Sequence, residues 1–405
     1  MKKILWTLLA LTLLIPVATA EQAVTVKIFP LKNDLTDGLT AAGLAYTKLH
    51  PNVTISVENG QGADYTASLK AKFASGDEPD IFNFQGETER QTFLEKLEDL
   101  SNVPMLKNVV KGVDTSGAVD GGKIYGLPQN IEGYGFIYNK DQFKKAGITS
   151  LPTTLAELEA ACKKLQAIGV TPFTNAYGEW WVLGVHNFNI VLANQANPKQ
   201  FVADLAAGKA KLVGNDVARR YLDLIDLTIK YGPKSGTLTV NYAGALTELA
   251  TGKAAMNQQG QWAQSTIDPI TPNMNLGFLP MPVTAKSTKL YAGVPGFWAV
   301  NKNSPAKEAA KDFLNWLYTN KDAGSYIVAQ MKFIPPVTNI TTQGTSALNN
   351  ALSEYSSRGE VLGWPMMSLP EGATTLIAPD LQAYIGGKVT KDALLAKLEK
   401  DCLKK

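Results

Sequence analysis

The chain has 405 residues, 45% hydrophobic and 19% charged, with a formal net charge of +3. At this length a single core is improbable and two domains of ordinary size are expected. The first twenty residues differ from the rest. Lys2 and Lys3 precede an almost wholly apolar run, residues 5–17, and Ala18-Thr19-Ala20 supplies the small residues that a signal peptidase reads. Residues 1–20 are therefore expected to be a signal peptide, with cleavage before Glu21. The run contains Pro16 and is too short to cross a bilayer comfortably. Without this segment and its two lysines, 385 residues remain with a net charge of +1. That balance argues against nucleic acid or an anionic membrane as the main partner. Two cysteines, Cys162 and Cys402, are too few for a disulfide scaffold. Neither stands at the processing point, so no lipid anchor is expected. A freely diffusing periplasmic or secreted protein is the expectation.

In chain order, Val24, Val26 and Ile28 alternate with polar residues and predict a strand with one buried face. Leu39, Gly43, Tyr46 and Leu49 mark a helix ending near His50-Pro51, and Val53, Ile55 and Val57 give a second strand. A helix through Leu69 and Phe73 should stop at Ser75-Gly76, where glycine accepts the left-handed C-terminal conformation. Pro79-Asp80-Ile81-Phe82 follows as a short buried strand. This alternation is the signature of an α/β domain. Residues 135–138 read as a further strand. Thr154 and Glu157 form a capping box for a helix whose apolar face carries Leu155, Leu158, Cys162 and Leu165. Ser304-Pro305 is expected to open another helix, with Phe313, Trp316 and Leu317 as its inner stripe. The last helix carries Leu395, Leu398 and Cys402.

Catalytic motifs are mostly absent. There is no phosphate-binding loop and no nucleophile elbow, and Gly133-Tyr134-Gly135 is a mere fragment of a dinucleotide fingerprint. The two histidines, His50 and His186, are far apart and without neighbouring metal ligands. His50 reads as a solvated residue, and His186 reads more readily as a satisfied core residue than as part of a site. A secreted glycoside hydrolase remains the alternative, with Glu87, Glu89, Glu132 and Glu179 as the carboxylates that could form its acid and nucleophile pair.

Aromatic and amide residues gather in segments that read as loops. They are Phe84-Gln85-Gly86-Glu87, Gln129-Asn130-Ile131-Glu132, Asn175-Ala176-Tyr177-Gly178-Glu179-Trp180-Trp181 and Asn257-Gln258-Gln259-Gly260-Gln261-Trp262. Gly296-Phe297-Trp298 and Trp364-Pro365 complete the set. Ligands of open α/β sheets bind at the carboxyl ends of strands. Ring faces stack on pyranoses, and flat amides and carboxylates pair with hydroxyls, so this chemistry suits sugars. Trp316 sits on a helical stripe and is assigned to the core. Trp180 and Trp181 cannot both face one pocket if locally regular, and Phe297 and Trp298 point to opposite faces if extended.

Several stretches together resemble one family. They are Phe73-Ala74-Ser75-Gly76 running into Pro79-Asp80-Ile81, Tyr125-Gly126-Leu127-Pro128, and Tyr138-Asn139-Lys140 with Phe143 and Ala146-Gly147. Pro152-Thr153-Thr154 with Glu157-Leu158 follows, then Gly252-Lys253-Ala254-Ala255-Met256 with Gly260 and Trp262, and Phe313-Leu314-Asn315-Trp316-Leu317. In this order they resemble type 1 extracellular solute-binding proteins of ABC importers, of the carbohydrate class that includes maltose-binding protein.

The resemblance implies an α/β fold of two lobes with the ligand in the cleft and three crossovers, near 131–134, 292–296 and 332–336. The amino-terminal lobe would hold residues 21–131 and 297–333, and the carboxyl-terminal lobe 134–291 and 337–405. It implies hinge closure on a neutral oligosaccharide, delivery to ABC permease transmembrane subunits, no cofactor, no metal and a monomer. Ligand contacts are expected from the turn Lys32-Asn33-Asp34, from Phe84, Gln85 and Glu87, and from Asn130 and Glu132. Others are expected from Tyr177, Glu179 and Trp180, from Gln258, Gln261 and Trp262, from Gly296 and Phe297, and from Trp364. The Gln-rich Gln258-Gln259-Gly260-Gln261 departs from the family pattern. Cys162 and Cys402 would share a lobe, where either a bridge or two inert buried thiols is open.

Overall fold

A computed structural model describes residues 22–60, 65–111, 113–233, 236–341 and 346–403. The expected signal peptide, residues 1–20, lies outside them, as does the side chain of Asp34.

The strands in chain order are β1 (Val24–Phe29), β2 (Val53–Val57), β3 (Ile81–Phe84), β4 (Val119–Asp120), β5 (Lys123–Ile124), β6 (Leu127–Pro128) and β7 (Glu132–Asn139). They continue as β8 (Thr171–Thr174), β9 (Ala254–Gly260), β10 (Leu276–Leu279), β11 (Leu290–Gly293), β12 (Phe297–Val300) and β13 (Val361–Leu362). One sheet runs β2-β1-β3-β12-β6, and the other runs β13-β11-β7-β9-β8 with β10 also on β7. β1 pairs in parallel with β2 and β3, through the crossover helices Thr36–Leu49 and Tyr65–Ser75. The second of these helices stops where Gly76 takes φ +82°, as the sequence leads one to expect.

Period-two alternation builds the first lobe in three layers. Val26, Ile28, Ile81, Trp298 and Val300 enter one apolar cluster, while Phe29, Phe82, Phe84, Phe297 and Ala299 enter another. Both faces of this sheet are therefore covered, as parallel strands require. In the second sheet β7 is buried along its whole length and pairs antiparallel with β9, β10 and β11. Tyr134 and Phe136 face one cluster of this lobe and Ile137 the other.

Three crossovers join the sheets, and backbone hydrogen bonds lace them together. Gln129 N donates to Gly296 O at 3.1 Å, and Ile131 N donates to Ile334 O at 2.8 Å. The third crossover is longer than expected. Val337 bridges Val109, Val110 N donates to Pro336 O, and Asn339 Nδ2 donates to Tyr318 O. Residues 336–340 thus stay with the first sheet, although the resemblance placed 337–405 in the second lobe. The reason is apolar: Val337 and Ile340 fill the first-lobe core.

Other local readings meet mixed outcomes. The capping box at Thr154 and Glu157 forms with both bonds present. Ser304 does not cap a helix; its Oγ donates to Asp80 and accepts from Ala306 N, and the helix Lys307–Thr319 starts later. Trp316 packs half-buried against Tyr46 and Phe313, within the first-lobe scaffold. Cys162 and Cys402 enter the same core cluster as free thiols. Burial first, then Glu159 and Asp401 respectively, pushes each thiol up to about 12.

Candidate functional site

A wall of rings stands on the second lobe. After Trp181 the chain enters a π-helical turn, Val182–Asn187, before the helix Phe188–Ala193. Such turns widen a helix locally and redirect its side chains. This one presents His186 among four rings. His186 stacks on Tyr134 at 4.6 Å, with Trp262 at 5.0 Å, Trp181 at 5.3 Å and Trp364 at 5.8 Å between centroids. Tyr242 extends the wall, 5.6 Å from Trp181. Trp262 follows β9 and folds back over Gly260, where a Cβ would fall 2.1 Å from the indole, so only glycine leaves the ring room to lie there. Its Nε1 donates to Gln259 Oε1 at 3.1 Å. Trp181, Trp262 and Tyr242 remain half-buried, whereas His186 and Trp364 are nearly covered.

The polar side lies at the first crossover. Lys32, on the turn after β1, reaches across to Glu132 at the start of β7, with Nζ 2.7 Å from Oε1. Asn130 Nδ2 donates to the same oxygen at 3.1 Å. Gln261 Oε1 accepts from Gly133 N at 2.9 Å, which ties the end of β9 to the hinge. Lys32 also faces His186. Burial first, then the Lys32 charge, pulls that imidazole down to about 3. Around these groups several buried polar atoms have no partner among the described residues: Gln129 Nε2, Asn130 Oδ1, His186 Nδ1, Gln258 Nε2, Gln259 Nε2 and Trp364 Nε1.

The lobes also touch along the segment that follows Trp364. Thr88 Oγ1 donates to Leu369 O at 3.2 Å, and Lys70 pairs with Glu371 at 2.8 Å on the surface. Gly86, at φ +69°, lies so close that a Cβ there would be 2.6 Å from Met367 O. One end of this segment forms the ring wall and the other end meets the first lobe.

The profile of the bacterial extracellular solute-binding proteins matches residues 32–324, well over half of the chain. The chain belongs to this family. Among its relatives is the multiple sugar-binding protein of Streptococcus mutans serotype c, 25% identical over 322 residues, 76% of this chain and 74% of the relative. The melibiose/raffinose/stachyose-binding protein MelE of Bacillus subtilis is 22% identical over 317 residues, 74% of this chain and 71% of the relative. In fold the chain is similar to the solute-binding protein RafE solved in complex with raffinose, with a TM-score of 0.79 at 23% identity, covering 93% of this chain and 98% of that one.

Within this solute-binding protein the expected contacts divide. Lys32, Asn130, Glu132, Gln261, Trp262 and Trp364 cluster at the lobe junction, with Gln85 and Gly296 beside the crossovers: Gln85 Nε2 donates to Pro295 O and Gly296 O accepts from Gln129 N. Asn33 is exposed on the same turn as Lys32. Phe84 and Phe297 are corrected to core, since they stack on each other at 5.4 Å inside the first lobe. Trp298 is also core, its Nε1 donating to Tyr318 Oη at 2.8 Å, so neither member of the Phe297-Trp298 pair faces the cleft. Tyr177 is core too, bonded to Thr228 Oγ1 at 2.7 Å.

Trp180 stays out of the ring wall and packs on the second-lobe core, and its neighbour Trp181 takes the place expected for it. Glu179 accepts from Tyr242 N at the start of the helix Tyr242–Ala250. Glu87 is exposed beside Arg90. Gln258 lies inside β9 rather than on a loop and accepts from Asn187 Nδ2. Sequence reasoning missed His186, Trp181, Tyr134 and Tyr242. Trp181 and Tyr134 lay inside segments already singled out, but a π turn carries no composition signal.

Proposed function

We propose that this chain is the extracytoplasmic capture component of an ABC sugar importer, taking a neutral oligosaccharide between its lobes. The observation that carries the reading is the wall of half-buried rings set beside buried amides, each with one polar atom that has no partner among the described residues. A pyranose presents apolar C–H faces to such rings and hydroxyls to such amides. Relatives whose names state raffinose, melibiose or stachyose as ligands support the class.

In this reading Lys32, Asn33, Gln85, Asn130 and Glu132 grip from the first lobe and the hinge, and Trp181, Trp262 and Trp364 form the platform. The lobes divide near residues 129–131, 294–296 and 331–341, and hinge motion about these strips admits the ligand. The lobe surfaces brought together by closure would be read by the transmembrane permease subunits. The chain acts as a monomer in the periplasm or outside the cell after cleavage near Ala20. No bond is made or broken. Glu132 is held by Lys32 and Asn130, Glu179 by a helix amide, and Glu89 by Thr66 Oγ1 and Gln85 N, while Glu87 stands in solvent, which supports binding over the glycoside hydrolase alternative.

A thermal-shift panel of mono- and oligosaccharides tests the proposal. A ligand at a hundred times its Kd should add about 2.7 kcal/mol of stability. Stabilisation by di- to tetrasaccharides is expected. Stabilisation by amino acids or polyamines alone would refute the sugar assignment.

A further inference from the structure

His186 is fixed through its backbone, and its ring is left open. Tyr134 Oη donates to His186 O at 2.8 Å and itself accepts from Asn189 Nδ2 at 3.0 Å, which pins the π turn to β7. The imidazole stands amid Tyr134, Trp181, Trp262 and Trp364, 7% exposed, and its Nδ1 has no partner among the described residues. A buried imidazole nitrogen left unpaired costs stability, and a fold optimised only for stability would place an apolar side chain in this cage.

On the sugar reading, we propose that His186 is a specificity-determining contact whose neutral imidazole takes a hydrogen bond with a hydroxyl of the bound saccharide. Admission of a ligand parts the contacts between the lobes and opens the ring to it. The ionisable groups that bear on the ring are Lys32 from the first lobe, which is itself paired with Glu132, and Tyr134 stacked beneath it. Trp181, Trp262 and Trp364 close the remaining sides without charge. A proton added to this ring would sit in an apolar cage opposite the Lys32 ammonium, so the ring stays neutral through the physiological range. A neutral ring can serve a hydroxyl, whereas an imidazolium would favour a carboxylate.

The test is calorimetric titration of the mature chain with raffinose, for wild type, His186→Phe and His186→Gln, at several values between about pH 5.5 and 8. His186→Phe keeps an aromatic face and removes both nitrogens. It is expected to lower affinity at least tenfold while the melting temperature of the free protein holds or rises. His186→Gln restores a polar group and should recover part of the loss. Where Phe overfills the cage and the variant does not fold, His186→Leu takes its place. Wild-type affinity should be flat across the pH series. Unchanged affinity in folded His186→Phe or His186→Leu overturns the proposal. So does a one-proton transition near pH 6 in the wild type that vanishes in the variant. If neither raffinose nor any other saccharide of the panel binds the wild type, the sugar reading fails and takes this proposal with it.

Discussion

Phe84, Phe297 and Trp298 in the first lobe, and Trp181, Trp262 and Trp364 in the second, all lie beside glycines and amides in sequence, yet they meet opposite fates. The first three sit on β3 and β12 in the middle of a sheet covered on both faces, so alternation sends every one of them into a core. The second three sit outside strands. One begins a π turn, one folds back over a glycine, and one opens the turn that runs on to the first lobe. For these six rings, a place inside a strand goes with burial in the first-lobe core and a place outside one goes with the ring wall at the lobe junction.

The largest effect that would break this comparison falls on the core side. Trp298→Ala opens a cavity and removes the bond that Tyr318 Oη accepts, leaving that hydroxyl only its bond to Gln129 O, and about 3–5 kcal/mol of stability should be lost in denaturant unfolding. The surviving folded protein should bind as before. Trp262→Ala should do the reverse, costing about 2–4 kcal/mol of sugar binding by titration while the melting temperature moves little. Trp181→Ala should follow Trp262, and Trp180→Ala should leave affinity unchanged. If Trp180 weakens binding and Trp181 does not, the ring wall has been assigned to the wrong neighbour.

Gly86→Ala sharpens the comparison by testing the junction. Its left-handed backbone makes alanine cost about 1–2 kcal/mol of stability. The new Cβ would also press on Met367 O, so affinity should fall and ligand-induced compaction in X-ray scattering should shrink. Compaction identical to wild type would show that the lobes do not meet there. The smallest effect is expected from Lys70→Gln. Its partner Glu371 is 53% exposed, so at most about 1 kcal/mol should be lost, and added salt should erase it.

Much of the fold was legible because its signals are local. The alternation in β1, the left-handed Gly76 and the box at Thr154 each follow from a few adjacent residues. The limits of the third crossover were not, because Val337 and Ile340 look like any apolar pair until their neighbours, Val109 and Gly324 respectively, are known. The site was legible by address more than by side chain. Lys32, Glu132, Trp262 and Trp364 lie together at the lobe junction, whereas Tyr177 and Phe297 turn inward. His186 read as a satisfied core residue because burial and hydrogen-bond satisfaction usually go together. Here they part.

The account stands most directly on calorimetric titration of the mature chain with neutral di-, tri- and tetrasaccharides, run in parallel on Trp262→Ala. It predicts reversible binding of an unaltered sugar at micromolar Kd, on the order of −8 kcal/mol, with about 2–4 kcal/mol of that lost in the variant. Absence of binding by every neutral saccharide, or a sugar recovered cleaved at catalytic ratio, would contradict it.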